Sequence, residues 1–428
     1  MTGAHPSRGR HAVAPCRMAT GFLLAACLAA CVPAAAGAAT PGRPGLVRSV
    51  LGGVGVPAGA AARIEWLHLS STTGELPAPD VGRQVATLIL DVDKDGTNDF
   101  LVASYEKIVW YRRDKAAGKW TRYALEDGMP PGSLEAGGDF CDIDGDGDPD
   151  IVMGSAYKGQ GGVWWWENPC PNFDPKTPWR RHLACQVGGQ HHDQMFGDFD
   201  GDGKTDLAFF DNKSARLFLA RIPAKPTDPW PYAEIAALPK EGGPPEGLAK
   251  ADINGDGKLD IVGGGWWFEH TGGGTFKAHP VNPKRQFSRS AVGAFIKGSP
   301  GPQVVLGSGD GVGPLELYRL DGAKWVAKTL IDVMDHGHTL AVGDIDGDGN
   351  LDILAGEMHT PGPGDKCKTY ILFGDDRGNF QVEVLSAGIG AHESKLGDLD
   401  GDGRLDILQK DFQKDRRIDV WLNKGPAR

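Results

Sequence analysis

Six nine-residue segments of this chain gather enough oxygen to hold a hard cation. They begin at Asp91 (DVDKDGTND), Asp142 (DIDGDGDPD), Asp198 (DFDGDGKTD), Asp252 (DINGDGKLD), Asp344 (DIDGDGNLD) and Asp398 (DLDGDGRLD). The side chains that carry the oxygens are Asp91, Asp93, Asp95 and Asp99; Asp142, Asp144, Asp146 and Asp150; Asp198, Asp200, Asp202 and Asp206. In the second half they are Asp252, Asn254, Asp256 and Asp260; Asp344, Asp346, Asp348 and Asp352; Asp398, Asp400, Asp402 and Asp406. A glycine after the third ligand position permits the sharp turn. Oxygen ligands on a short flexible loop suit Ca2+, which takes about 6–8 of them. The flanks, as in AVGDIDGDGNLDILAG, read as short apolar strands, whereas an EF-hand loop joins two helices. The expected role of Ca2+ at up to six sites is structural, because clustered carboxylates repel one another without a cation.

The repeats also serve as a ruler. Six residues before the first aspartate of each unit stand Val85, Ala136, His192, Glu246, Ser288, His338 and His392. With 12 histidines in 428 residues, three at seven equivalent positions is well above chance. Three imidazoles and a carboxylate, His192, His338, His392 and Glu246, suit a borderline divalent metal such as Zn2+, Mn2+ or Fe2+ better than Ca2+. The plainer alternative is that each histidine caps a loop or bonds across a channel. Around these positions His191, His336, His359 and Lys410 are candidate acid–base groups. Tyr157, Trp266, Glu357 and Gln194 are candidate substrate contacts. Trp266, or its neighbour Trp267, either stacks on a sugar face or packs between sheets; adjacent strand residues point opposite ways, so they cannot share one side.

The spacing of the loops predicts the elements that position these groups. Successive first aspartates lie 51, 56, 54, 92 and 54 residues apart. The long gap holds a degenerate unit, Ala291–Gly311, that aligns with Ala341–Met358 but has lost its acidic ligands. Each of the seven units reads as a strand, the loop, a second strand, an aromatic-rich third strand (KIVWYRR, GVWWWEN, DVWLN) and a fourth (WTRYALED, WVAKTLID). Four short strands per repeat predict an all-β, seven-bladed β-propeller over residues 63–424. The last unit lacks a fourth strand, and Arg63–Ser71 (RIEWLHLSS) supplies one, closing the ring. In a propeller the first strand lines the axis. Six residues at about 3.3 Å each then separate calcium on one face from the histidine ring on the other by about 20 Å.

From Arg63 to Lys424 the chain resembles the FG-GAP/VCBS-type calcium-binding propeller repeats, a resemblance that speaks to fold far more than to function. In architecture, its histidine-rich strand starts are similar to propeller carbohydrate lyases and to the propeller of fungal aldos-2-ulose dehydratases, without a motif that matches residue by residue. That resemblance implies metal-assisted β-elimination on carbohydrate: a metal polarises a carbonyl or carboxylate and a nearby His, Lys or Tyr takes the adjacent proton. The alternative is a non-catalytic secreted module that binds glycan or protein. Hydrolysis by a carboxylate pair, Glu246 with Glu357, is a third idea.

Residues 1–40 read as a secretory signal, with a basic start, an apolar centre and small residues for cleavage near Ala36–Ala38. LAAC occurs at Leu24–Cys27 and Leu28–Cys31, which keeps lipid anchoring as an alternative to release. Residues 41–62 read as a linker. The expected location is secreted, periplasmic or cell-surface, with contact to a membrane only through such an anchor. Cys170 and Cys185 flank one loop and could pair in an oxidising compartment. The net charge of −11 comes largely from the loop aspartates and speaks against nucleic acid as a partner.

Overall fold

The computed structural model describes residues 63–126, 128, 133–156, 161–413 and 416–427. The signal segment, the linker, Cys27, Cys31 and Tyr157 lie outside the described residues.

Seven antiparallel sheets form in chain order, each running from an innermost to an outermost strand. The innermost strands are Gln84–Leu90, Asp139–Cys141, His191–Gly197, Ala249–Ala251, Ser290–Gly293, Thr339–Gly343 and Lys395–Gly397. In the second blade this strand is split: Ser133–Leu134 pairs with the same neighbour, Asp150–Ala156, on the other side of Gly137 and Gly138, both at positive φ. The seventh blade takes its outer strand from the start of the propeller. Ile64–Ser70 pairs antiparallel with Ile418–Pro426, Leu67 opposite Leu422 and Leu69 opposite Val420. The edge that Ile418–Pro426 would otherwise expose is thereby covered.

The second strand of each blade is buried on both faces, so its apolar residues feed two different interfaces. In Asp99–Ser104, Phe100 and Val102 pack toward the seventh blade with Leu408 and Val420. Leu101 and Ala103 pack toward the second with Ile151 and Trp166. The period of two in the sequence thus becomes a radial core of wedges, one between each neighbouring pair of blades. Trp266 and Trp267 belong to this core. Trp267 packs between the fourth and fifth blades with its ring 4.5 Å from His279, and Trp266 lies against the third. They pack between sheets, and Trp266 does not line the axial cavity described below.

Every acidic loop is tied down in the same way. The first aspartate accepts backbone N–H groups from within its own turn, as Asp344 does from Gly347 at 2.9 Å and Gly349 at 3.0 Å. The second residue is always apolar and buried: Val92, Ile143, Phe199, Ile253, Ile345 and Leu399. The ninth position is a buried strut. Asp352 accepts the N–H of Ile345 at 2.8 Å and that of Gly374, on the third strand, at 2.8 Å. Asp150, Asp260 and Asp406 make the equivalent pairs. Burial, first of all, pushes the Asp352 carboxyl up to about 7. The degenerate fifth blade keeps this plan without the acids: Phe295 fills the apolar position, and Gln303 accepts the N–H of Ile296 at 2.9 Å.

Cys170 and Cys185 are separate thiols. Cys185 is buried against Trp165 between the second and third blades, whereas Cys170 faces the Asp93 carbonyl at 3.7 Å. The expected pairing is not formed, because packing turns the two side chains into different interfaces.

The two aspartate classes separate by experiment. Asp352→Ala removes an acceptor from two backbone N–H groups and is expected to cost about 2–3 kcal/mol in excess calcium and in chelator alike. Asp348→Ala, on the exposed part of the same loop, is expected to lower the melting temperature in calcium and to leave it nearly unchanged in chelator. Thermal melts of both variants in both buffers are the check.

Candidate functional site at the blade axis

Each innermost strand starts with a bend that turns one side chain toward the axis. The residue after the turned-in position is left-handed in several blades: Gly137, Asp193, Gly247 and Glu393 have φ of 102°, 52°, 73° and 54°. For Asp193 and Glu393 this conformation costs of order 1 kcal/mol and persists only because neighbours hold it. Gly137 shows how tight the packing is, since a Cβ there would lie 2.5 Å from the Asp193 Cα.

The result is an open axial cavity of about 600 Å3 at the end of the strands opposite the acidic loops. Val85, Ala136, His192, Glu246, His338 and His392 line it, so six of the seven positions found by the ruler converge there. Ser288 does not; it is buried, and Phe287 lines the wall in its place. Loops between second and third strands add Tyr105, Asn212, Asp310 and Phe412.

Within the ring, His192 lies between two carboxylates, with Nε2 3.3 Å from Glu135 and Nδ1 3.4 Å from Glu246. Burial alone would lower its pKa, but Glu246, the hydrogen bond to Glu135 and nearby Asp193 outweigh burial and push it up to about 10. The flanking carboxylates thus favour the protonated form of His192. His338 places Nε2 2.6 Å from Asp310 and 3.8 Å from the second Glu246 oxygen. His392 is sandwiched, its ring 5.0 Å from His338 at 12° and 4.8 Å from Phe412 at 27°. Behind it Lys410 is fully buried, with Nζ 2.7 Å from the His392 Nδ1 and 2.8 Å from the Gln84 carbonyl oxygen. Burial first and then Lys410 hold the His392 pKa well below its usual value. Burial likewise brings Lys410 down to about 7, against the opposing pull of Glu393 and Asp411.

The four ring groups share a cavity but are not drawn in around one point. Among the described residues, three or more ligand atoms within 4.8 Å of one another occur at the loops of Asp91, Asp142, Asp198, Asp344 and Asp398, and the axial groups do not form such a set. Parallel stacking explains the His392 case. The nitrogen lone pairs lie in the ring planes, so two imidazoles stacked face to face cannot both aim at one ion.

The remaining candidates are dispersed. His191 is buried edge-on to Phe209 with Nδ1 3.4 Å from the Phe210 carbonyl oxygen. His336 pairs with Asp335, and His359 with Thr360 and Asp365. Lys410 reaches the cavity only through His392. Glu357 accepts the N–H groups of Asp335 and Lys368, each at 2.9 Å, and so joins two blades as a structural clamp. Gln194 donates to the His191 carbonyl oxygen. None of these lines the cavity. The groups that sequence reasoning missed are Glu135, Phe287 and Phe412. Glu135 directly precedes a ruler position and Phe287 precedes Ser288, so that neighbourhood was the available signal.

Titration of the buried lysine is measurable. Between pH 7 and about 10.4 an unfolded Lys410 keeps a proton that the folded one has lost. The unfolded state binds more protons in that window, so folding stability rises with pH across it. Lys410→Met should flatten the rise, by up to about 1.4 kcal/mol per pH unit, in denaturant melts at pH 7, 8 and 9 with calcium held constant.

The FG-GAP-like repeat family matches residues 91–153, 142–209 and 198–263. No curated protein matches the chain. Among solved structures, the BP39L lectin from Burkholderia pseudomallei is similar at 14% identity and a TM-score of 0.54, over 81% of this chain and 98% of that one. BBS1N, solved in complex with ARL6DN, is similar at 11% identity and a TM-score of 0.51, over 84% and 98%. At such identities the likeness is one of fold. Three FG-GAP-like repeats matched over residues 91–263, within a closed ring of seven blades, support an FG-GAP-type β-propeller.

Proposed function

We propose that the axial cavity binds carbohydrate, in a propeller stiffened by calcium at its acidic loops. The observation that carries this reading is the cavity wall. Three aromatic rings, Tyr105, Phe287 and Phe412, stand beside a dense polar ring. Several buried atoms of that region, His192 Nδ1, Glu246 Oε2, Asn212 Oδ1 and His338 Nδ1, have no hydrogen bond of good geometry. Buried polar groups in native proteins find partners, so a polar ligand or ordered water belongs there. The lining carries acidic and basic side chains together: Glu135, Glu246 and Asp310 with His192, Lys213 and Lys240. A wall that mixes acceptors and donors suits hydroxyl groups, which both donate and accept, and aromatic faces suit the apolar side of a sugar ring. The repeat family and the fold fit a carbohydrate- or protein-binding propeller. The BP39L lectin shares the fold alone, so the cavity carries the argument. Export, on which access to calcium and glycan depends, rests on residues 1–40.

A second reading, metal-assisted β-elimination, draws on the same orphaned atoms. His192, Glu246 and His338, with Asp310, are the residues that would hold a divalent metal, and His392, stacked on His338, would support that imidazole. When bound, the metal would polarise a carbonyl or carboxylate of the substrate. The chain's own part would be to orient the sugar against Phe412 and Tyr105 and to exclude water from the floor.

One set of measurements separates the readings. Binding of purified propeller to a polysaccharide panel (dextran, galactan, xylan, alginate, chitosan) is measured in calcium, with and without 1,10-phenanthroline. Ultraviolet absorbance follows unsaturated products. The binding reading expects affinity that survives phenanthroline, no product, and a loss of about tenfold or more in Phe412→Ala and His338→Ala. Product formation that disappears with one copurified transition metal in His338→Ala would favour the lyase. Failure to bind any carbohydrate would overturn the proposal.

A further inference from the structure

The guanidinium of Arg289 crosses the axis. Its Nη1 lies 2.8 Å from Asp193 and its Nη2 2.6 Å from Glu393. Arg289 belongs to the fifth blade, Asp193 to the third and Glu393 to the seventh, so no two of these blades are neighbours. A side chain that touches both carboxylates must therefore pass through the middle of the ring. The same carboxylates tie in more blades. Asp193 accepts the N–H of Gly247, in the fourth, at 2.8 Å. Glu393 pairs with Lys395 at 3.2 Å, and its carbonyl oxygen accepts the Thr87 hydroxyl of the first blade. Arg289, Asp193 and Glu393 are all buried. Asp193 and Glu393 directly follow His192 and His392, the cavity-lining histidines. The blade that lost its acidic loop thus supplies the central cation, together with Phe287 and Asp310 of the wall.

From this, resting on the carbohydrate reading above, we propose that Arg289 seals the axis and makes the cavity a blind pit, so that the site takes the end of a glycan chain and not its interior. An internal sugar needs a path out on both sides, and a groove supplies one. Here an ion-pair knot crosses the axis just past the cavity lining, one residue beyond His192 and His392, and the walls are the starts of the innermost strands. A terminal residue can descend along the axis, set its ring against Phe412 or Phe287 and leave the rest of the chain in solvent. Arg289 is a positioning residue in this scheme: it does not line the cavity but holds the two left-handed residues that orient His192 and His392.

The test counts chain ends. Any panel polysaccharide that binds is compared as competitor, intact and after partial acid hydrolysis, at equal mass. If termini are recognised, a digest with about ten times as many ends inhibits at about a tenth of the mass concentration. Equal potency by mass, or weaker inhibition by the digest, overturns the inference while leaving carbohydrate binding intact. If no polysaccharide binds, the functional reading itself fails. A second arm probes the floor. Arg289→Met alone takes the guanidinium from buried Asp193 and leaves Glu393 only Lys395, and is expected not to fold. The triple variant Asp193→Asn, Arg289→Met, Glu393→Gln removes all three charges together. A retained melting temperature with at least a tenfold loss of affinity supports the inference; unchanged affinity overturns it. Should the triple variant not fold, the end-counting competition, which needs no variant, decides alone.

Discussion

The buried carboxylate at the ninth position of each acidic loop is the constraint on which the rest of this molecule rests. In four of the six loops, those of Asp150, Asp260, Asp352 and Asp406, its two oxygens accept one N–H from the loop and one from the third strand; Asp99 makes the third-strand bond and Asp206 the loop bond. That fixes where the innermost strand stops and the second begins. It thereby fixes the register of the blade, and with it the height at which the other end of the innermost strand meets the axis. The fifth blade shows that the requirement is for an acceptor rather than a charge, because Gln303 does the loop-side part of the job. The outer aspartates, whose clusters could hold a cation, are laid over this frame.

Given the frame, a site at the opposite face follows from geometry. Seven strand starts arrive around one opening, and whatever side chains they carry are gathered without any local motif. The chain uses that convergence for groups that are costly to bury singly. His192 is held between Glu135 and Glu246, and a buried lysine is set behind a histidine. Charges desolvated in this way need partners: His192 finds them in the second and fourth blades, and Lys410 finds its acidic neighbours in its own blade. The Arg289 knot applies the same logic at the floor.

Much of the architecture was legible in the sequence. The repeat period, the degenerate fifth unit and the stray strand Arg63–Ser71 together specified the number of blades and the closure of the ring. Counting back from the loop aspartates also found His192, Glu246, His338 and His392, because each strand has a fixed rise per residue. Counting could not say which of two neighbours faces inward. A bulge between His192 and Gln194, and another between Gln84 and Ala86, breaks the alternation just where the parity of the strand matters. So His192 lines the cavity whereas His191 turns back against Phe209.

What the chain decided by itself is therefore everything governed by local periodicity: strand, loop, blade and the radial layer in which each residue lies. Only tertiary structure decided which side chains meet. The stacking of His392 between His338 and Phe412, the use of Glu357 as an inter-blade clamp, and the reach of Arg289 to blades three and seven all join residues distant in sequence. Such contacts depend on the rotation of one packed sheet against the next, and no spacing along the chain encodes that rotation.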